Sequence, residues 1–203
     1  MNLFDDLGQL ARYVRDRIRH GRSEAGAQFD RERGVETAHW TLRYEPSPVD
    51  RLEEIFAAMP FDPAEFTFCD LGCGKGRVLL VAAEKGFRRV VGVEVDESLY
   101  RTALRNAESP AHGIEVFWMD AAQFPMPRGP LVLFLFNPFD ADVLGEVLAG
   151  VGADRERNRP LWIVYLNPIH GDLLDDAGFE VRASGGDDPT RWVIYQGLPF
   201  VLL

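Results

Sequence analysis

The segment from Phe68 to Arg77 constrains the fold more than any other part of this chain. It reads FCDLGCGKGR, so a short strand-like stretch passes through an acid into a glycine-rich turn. The residues that follow, 77–85, are rich in Val, Leu and Ala and contain neither Pro nor Gly, which predicts a helix ending at Gly86. A strand, a glycine turn and a helix in this order predict the first half of a nucleotide-binding α/β unit.

Asp70 narrows the class of ligand that the glycine turn could hold. The turn contains Gly72, Cys73 and Gly74, and a carboxylate at its entrance would repel a pyrophosphate. The same carboxylate would attract a cation. S-adenosylmethionine (SAM) carries an ammonium group and a sulfonium and no phosphate, so the order of acid and glycines favours SAM over a dinucleotide.

A second β-branched run, over residues 90–95, ends with Glu94 and Val95. Glu94 stands at the distance beyond the glycine turn where such folds keep a carboxylate for the ribose hydroxyls. We therefore predict that Glu94 accepts hydrogen bonds from the ribose and that Val95 lies beside the cofactor.

A third run, over residues 114–119, is followed by Asp120 and Ala121. The Asp120 carboxylate could accept a hydrogen bond from an adenine amino group beside the backbone N–H of Ala121. Ligands of open α/β sheets bind at the carboxyl ends of the strands, so acids after three successive strands predict one shared cofactor site.

The remainder of the chain continues the alternation of strands and helices. Helices are predicted over about 50–59, 140–148 and 170–176, and further strands over 131–136, 161–166, 179–183 and 191–196. Alternation of this kind predicts a mostly parallel sheet.

Taken in order, these motifs resemble those of the class I SAM-dependent methyltransferases. The residues 70–76 are similar to the first motif of that family, Glu94 to the second and Asp120 with Ala121 to the third. Asn137-Pro138-Phe139 occupies the place of the methyl-acceptor motif, without the second Pro of the Asn-Pro-Pro-Tyr form. More narrowly, the chain resembles a bacterial group related to non-SET lysine methyltransferases, through segments 34–37, 43–48, 74–80, 134–139 and 165–168.

The resemblance implies a Rossmann-like, doubly wound seven-stranded α/β sheet in which strand 7 is antiparallel. It also implies catalytic roles for Asn137, Pro138 and Phe139. The Asn137 side-chain oxygen would accept an N–H bond from an amine, aided by the Pro138 carbonyl, and would also border SAM. Phe139 would line the acceptor cleft, and Thr37 and Tyr44 are expected to contact the acceptor.

The amino-terminal residues 1–44 are predicted to form a helical lid over a SAM-binding domain of residues 45–203. Apolar and basic side chains recur there at helical spacing: Leu3, Leu7, Leu10, Val14 and Ile18 on one face, Arg12, Arg15, Arg19 and Arg22 on the next. The alternatives are a helix packed on the domain with a solvated arginine face, a lid whose arginines meet an anionic acceptor and, last, a membrane-binding helix.

Composition restricts the partners. The net charge of −10 disfavours nucleic acid and acidic membranes. Cys69 and Cys73 are the only cysteines, and with no histidine cluster beside them they predict free thiols in a reducing cytoplasm and no metal site. No apolar run approaches the roughly 20 residues that span a bilayer. We expect a soluble, cytoplasmic protein.

Several functions stay open. An amine of a protein or small molecule is favoured as acceptor over an oxygen, which would more often need a base such as Glu36, His39 or His170. A SAM-binding module without turnover is a further alternative. A nicotinamide-dependent oxidoreductase conflicts with Asp70, and a phosphate-loop NTPase conflicts with the Gly that follows Lys75, whose side chain we expect to be solvated.

Overall fold

The computed structural model describes residues 47–108, 113–136, 139–153 and 159–197. Strands and helices alternate within these ranges: α1 (Val49–Ala57), β1 (Thr67–Leu71), α2 (Arg77–Glu84), β2 (Arg89–Glu94), α3 (Glu97–Ala107), β3 (Ile114–Trp118), β4 (Leu131–Phe136), α4 (Ala141–Ala153), β5 (Leu161–Leu166), α5 (Gly171–Asp176), β6 (Phe179–Gly185) and β7 (Trp192–Gly197). Short 3₁₀ turns cover Pro63–Glu65 and Ala121–Gln123. No helix in these ranges is long and apolar enough to cross a membrane.

The seven strands form one sheet in the order β3-β2-β1-β4-β5-β7-β6. The first five strands are parallel, and β7 runs antiparallel to both of its neighbours. The predicted doubly wound seven-stranded sheet with an antiparallel strand 7 is therefore confirmed. The predicted lid over residues 1–44, with Thr37 and Tyr44, lies outside the described residues.

Helices cover both faces of the sheet, which explains the nearly continuous apolar composition of its central strands. On one face, Phe68 and Phe134 pack with Leu52 of α1 and Leu79 of α2. On the other face the side chains alternate with these: Cys69, Leu71, Leu133 and Leu135 pack with Leu144 and Val147 of α4 and Leu174 of α5. Burying one such Phe or Leu stabilises the fold by about 1.5–3 kcal/mol.

Two helices differ from the sequence-based expectation. α4 continues to Ala153, five residues beyond the predicted end, although Gly145 and Gly150 lie within it. The helix persists because Leu144, Val147 and Val151 are buried against the sheet, and this packing outweighs the low helix propensity of glycine. α3 was not predicted at all. Its signal in the sequence was Asp96, whose carboxylate caps the helix by accepting from the backbone N–H groups of Ser98 and Leu99.

Gly92 in β2 leaves the space into which the turn after β1 packs. A Cβ added at Gly92 would lie 2.5 Å from Leu79 Cδ1 and 2.9 Å from Cys73 Sγ. Both of those side chains are buried, so they have little room to move. We expect Gly92→Val to lower the free energy of unfolding by roughly 1–3 kcal/mol, as overpacking does in cores, measured by urea denaturation.

Gly145→Ala is the matched control for that substitution. It places a methyl group on an exposed position inside α4 with no atom within 4 Å. It should raise the free energy of unfolding by about 0.5–1 kcal/mol, because alanine favours the helix. Wild-type stability in Gly92→Val would show that β2 and the turn tolerate a side chain at this position.

Candidate active site

The carboxyl ends of β1, β2 and β4 meet at one edge of the sheet. Leu71, the last residue of β1, is paired with Val93 on one side and with Leu135 on the other. The segments that follow β1 and β2 in the chain leave the sheet at this edge. Open α/β sheets bind their ligands at the carboxyl ends of their strands. The predicted cofactor residues after β1 and at the end of β2 therefore belong to one site.

The turn between β1 and α2 depends on glycine. Gly72, Gly74 and Gly76 have φ angles of 81°, 56° and 83°, all in the left-handed region. Residues with a Cβ rarely adopt these angles, so the glycines are required by the path of the chain. The resulting loop folds back against the end of β2.

The N–H groups of this turn are bonded within the protein. Those of Gly72 and Cys73 both donate to the Val93 carbonyl, at 2.8 and 3.0 Å, and that of Gly76 donates to the Cys73 carbonyl at 2.9 Å. The Gly74 N–H donates to Glu94 Oε2 at 2.8 Å. A pyrophosphate-binding loop presents such groups to its ligand. In this protein the N–H groups are already bonded to the loop and to β2. This argues against a dinucleotide and supports SAM, the ligand predicted from Asp70.

Glu94 ends β2 and joins the turn to the next helix. Its Oε2 accepts from Gly74 N and its Oε1 accepts from the backbone N–H of Asp96 at 2.9 Å. Burial raises the pKa of Glu94, and these backbone hydrogen bonds oppose that rise. Each carboxylate oxygen has a second lone pair, so Glu94 can still accept from a hydroxyl group.

Asp70 lies one position before the end of β1 and is only 3% exposed. Burial, and secondarily the negative charge of Glu94, raises the pKa of Asp70 well above its ordinary value of 3.8. Its carboxylate is therefore costly to ionise without a cation nearby. An ammonium group placed at this edge of the sheet would remove part of that cost.

We predict that ligand binding releases a proton from Asp70. The raised pKa means that the folded, SAM-free protein loses stability as the pH rises from 3.8 through that raised value. The ammonium group of S-adenosylhomocysteine (SAH), the product form of SAM, would lower the pKa again. Between the two pKa values, calorimetric titration with SAH in buffers of different ionisation heat should show proton release approaching about one per site.

Asp70→Asn is the control for proton release. The amide keeps the shape of the carboxyl group and cannot titrate, so only the smaller contribution of Glu94 should remain. The SAH-free variant should also lose less stability than wild type as the pH rises. Equal proton release by the two proteins would show that Asp70 does not face the ligand.

The predicted adenine side of the site lies at the ends of β2 and β3. Ala121 is buried, whereas Asp120 is exposed and accepts from Ala122 N at 3.0 Å, so its carboxylate also caps a 3₁₀ turn. Val95 is 68% exposed, and its backbone carbonyl accepts from Trp118 Nε1 at 3.0 Å. These residues present apolar surface and one carboxylate to the same edge, and their contacts with SAM stay a prediction.

Lys75 differs from the sequence-based expectation. We expected a solvated side chain, but Lys75 is 2% exposed. Its carbonyl accepts from the side chain of Asn106 in α3 at 2.9 Å. A helix that was not predicted, α3, therefore contacts the turn and stabilises it. Asn106 lies in this helix, and for that reason it was not among the predicted site residues. Both cysteines, Cys69 and Cys73, are buried and free.

The acceptor side of the site is described in part. Asn137 and Pro138 lie outside the described residues, as do Thr37 and Tyr44. Phe136 ends β4, and Phe139 is half-buried and packs against the cluster on the α4 face of the sheet. Of the histidines considered as bases, His170 lies in the described part, directly before α5.

The residues at this edge fit SAM. They supply two buried carboxylates, one exposed carboxylate and apolar surface, and SAM offers an ammonium group, ribose hydroxyls and an adenine amino group as donors. A diphosphate would meet Asp70 and Glu94, whose raised pKa values show that negative charge is already unfavourable there.

Comparison with known proteins agrees with this geometry. Residues 68–148 match the model of a family described as a methyltransferase domain. The Type II methyltransferase M.VspI of Vibrio sp. (strain 343) is 26% identical over 155 residues, which is 68% of this chain and 38% of that protein. The chain thus spans well under half the length of this curated relative.

Solved structures share the fold at low identity. Magnesium protoporphyrin IX methyltransferase of Synechocystis PCC 6803, solved with SAM bound, superposes with a TM-score of 0.56 at 16% identity, over 85% of this chain and 91% of that one. The E. coli protein yhhF gives 0.61 at 16% identity, over 77% and 88%. A SAM-dependent methyltransferase of Mesorhizobium loti gives 0.55 at 14% identity, over 72% and 98%. These likenesses establish the fold, and the family match over residues 68–148, together with the fit of the site to SAM, supports a SAM-dependent methyltransferase.

Proposed function

We propose that this protein transfers a methyl group from SAM to an amine nitrogen of a protein or small molecule. The observation that carries the proposal is the edge of the sheet at which β1, with buried Asp70, lies between the end of β4 and the end of β2, with buried Glu94. A cofactor held by the two carboxylates would border the point where the chain continues from Phe136 into the Asn-Pro-Phe motif.

The chemistry asks for alignment rather than for an acid–base group. SAM, when bound, supplies a methyl group on a sulfonium that is displaced in line by a nucleophile. An amine presents its own lone pair, so the protein must bind it, orient it and exclude water. The Asn137 side-chain oxygen and the Pro138 carbonyl would accept N–H bonds from the amine, and Phe139 would cover the cleft. The extra proton of the product leaves to solvent.

A lysine side chain is the first candidate among amine acceptors. The support is the resemblance of the chain to the bacterial group related to non-SET lysine methyltransferases. The net charge of −10 also favours a cationic acceptor over a nucleic acid. The relatives named above carry different descriptions and do not distinguish one acceptor from another. We propose a cytoplasmic reaction, since both described cysteines are free thiols.

Three alternatives make different predictions. An O-methyltransferase would use a base, for which His170 is the described candidate, and would methylate catechol. A SAM-binding module would bind SAM and yield no methylated product. A nicotinamide-dependent enzyme would bind NAD, which the bonded turn and the two carboxylates disfavour.

The test combines binding with transfer. Calorimetry should show binding of SAH and no comparable heat with NAD. SAM labelled in its methyl group is then incubated with poly-L-lysine, β-alaninamide, catechol and a dialysed bacterial extract, and mass spectrometry assigns the label to nitrogen or oxygen. N-methylated product supports the proposal. Label on catechol alone, or binding without any product, would replace it with the first or the second alternative.

We further propose that residues 1–44 act as a lid over this site. The support is the place where the chain enters the domain: the Ser47 carbonyl accepts from Arg77 Nη1 at 2.9 Å, and both residues are buried beside the start of α2. Deleting residues 1–26 should therefore leave a folded domain that binds SAH but loses acceptor methylation. Full activity of the truncated protein would make the segment a surface helix, and failure to fold would make it part of the core.

A further inference from the structure

Helix α3 contacts the turn between β1 and α2 at two neighbouring places. Asn106 Nδ2 donates to the Lys75 carbonyl at 2.9 Å. One helical turn earlier, Ala103 lies against Gly76, where an added Cβ would be 3.5 Å from Ala103 Cβ. Positions three residues apart lie on the same face of a helix. This face of α3 therefore packs directly on the turn.

Hydrogen bonds hold the turn on either side of the peptide bond between Gly74 and Lys75. Before that bond, the Gly74 N–H donates to Glu94 Oε2 at 2.8 Å. After it, the Lys75 carbonyl accepts from α3, and the Gly76 N–H donates to the Cys73 carbonyl at 2.9 Å. The orientation of the peptide between Gly74 and Lys75 is thus determined from both sides.

This support matters because the turn is rich in glycine. Gly72, Gly74 and Gly76 all have positive φ angles. Glycine has more accessible backbone conformations than any other residue, so ordering such a turn has a high entropic cost. A turn that is already ordered before the ligand binds does not add this cost to binding.

The helix that supports the turn also begins beside Glu94. The Asp96 N–H donates to Glu94 Oε1 at 2.9 Å, and the Asp96 carboxylate caps α3. Near the other end of α3, Asn106 is a poorer helix former than alanine would be. Its side chain instead reaches a carbonyl 31 positions away in the sequence. The residue type at position 106 therefore suits the turn rather than the helix.

We propose that Asn106 is a positioning residue for SAM, whose hydrogen bond to the Lys75 carbonyl holds the turn in the conformation that receives the amino-acid part of the cofactor. Asp70, which would meet the ammonium group, lies just before the turn, whereas Glu94 would meet the ribose. The inference rests on this placement of SAM and is independent of the proposed methyl acceptor.

Two ligands test this inference, because they differ in the amino-acid part. SAH carries that part, and 5′-methylthioadenosine keeps the adenosine and the sulfur without it. Asn106→Ala should weaken SAH by about tenfold, as loss of one hydrogen bond does, and 5′-methylthioadenosine by less than about threefold. Calorimetric titration measures both affinities. The midpoint of urea unfolding of the ligand-free variant should stay near that of wild type, because alanine favours the helix.

Further variants show whether the donor is responsible. Asn106→Asp has the same shape but cannot donate to a carbonyl, so it should lose SAH affinity as the alanine variant does. Asn106→Gln keeps the donor on a longer side chain and should retain more SAH affinity than either, even if the alanine variant does not fold. Arg101→Ala, on the exposed face of α3 where Arg101 pairs with Glu97, should leave both affinities unchanged.

Amide hydrogen exchange measures the order of the turn without any ligand. The Gly74 and Gly76 amides should exchange roughly tenfold faster in Asn106→Ala than in wild type, since the turn opens more often. The Leu131 amide, which is bonded to the Pro160 carbonyl at the opposite edge of the sheet, should exchange at the wild-type rate.

The outcomes separate a positioning role from a structural one. Equal weakening of the two ligands, or unchanged SAH affinity in a folded alanine or aspartate variant, would make Asn106 a structural residue of α3 and overturn the inference. Wild-type protein that binds neither ligand would remove the proposed SAM site itself, and the inference with it.

Discussion

Glu94→Ala should weaken SAH binding by roughly 10- to 100-fold, because a carboxylate that accepts hydrogen bonds from hydroxyl groups contributes about 1.5–3 kcal/mol. The side chain has two tasks at once. It accepts from Gly74 N and Asp96 N, and it is proposed to accept from the ribose. Loss of the carboxylate would also release two backbone N–H groups, so the turn itself should become less ordered. Calorimetric titration with SAH measures the affinity.

Controls separate the two tasks of Glu94. Glu94→Gln keeps the shape but replaces one accepting oxygen with a donor, so it should fall between wild type and Glu94→Ala. Glu115→Ala removes an exposed carboxylate from the adjoining strand β3, where it pairs with Arg89. Surface pairs contribute about 1 kcal/mol or less, so its SAH affinity should match wild type. Unchanged affinity in folded Glu94→Ala would remove Glu94 from the cofactor site.

Asn137→Ala should lower kcat by about 100-fold while changing SAH affinity by less than about threefold, because misplacing a reacting group by roughly 1 Å has effects of that size. The physical reason is that the residue is proposed to orient the lone pair of the amine, a task that matters for transfer and little for cofactor binding. Single-turnover kinetics with the best amine acceptor separates the transfer step from product release.

Asn137→Asp tests the mechanism behind that loss. Aspartate keeps an oxygen that can accept the N–H bond, so it should retain more activity than alanine. Equal losses of turnover and SAH affinity in Asn137→Ala would make the residue a cofactor or structural residue. Full turnover in the alanine variant would place orientation of the amine elsewhere.

The sequence was sufficient for the local units of this fold because their signals are local. A strand followed by Gly72, Gly74 and Gly76 predicts a turn with left-handed backbone angles, because residues other than glycine rarely adopt such angles. The apolar runs of β4 and β5 are long enough to show strands buried on both faces. Helix ends were harder to place. The end predicted for α4, at residue 148, was five residues too early, because packing on the sheet carries the helix on to Ala153.

The properties of the candidate site also fall into two groups, those that the sequence predicts and those that depend on tertiary contacts. The identity of Asp70 and Glu94 as acids at strand ends, and hence a preference for a cationic ligand over a phosphate, follows from residue type and order in the sequence. Their pKa shifts do not, because desolvation and the charge of one on the other depend on burial and distance. The burial of Lys75 and its support by Asn106 likewise needed the contact between the turn and α3.

The sequence by itself determined the class of fold, the glycine turn and the carboxylates that predict SAM, because each depends on the chemistry of residues close together in the chain. The tertiary structure decided what depends on residues far apart. In the structure, N–H groups of the turn donate to Val93 and Glu94, and the ends of β4 and β5 are paired. Asn167 adopts the left-handed region, and its N–H donates to the Arg191 carbonyl. Register and burial arise only when distant strands meet, so no local pattern could have shown them.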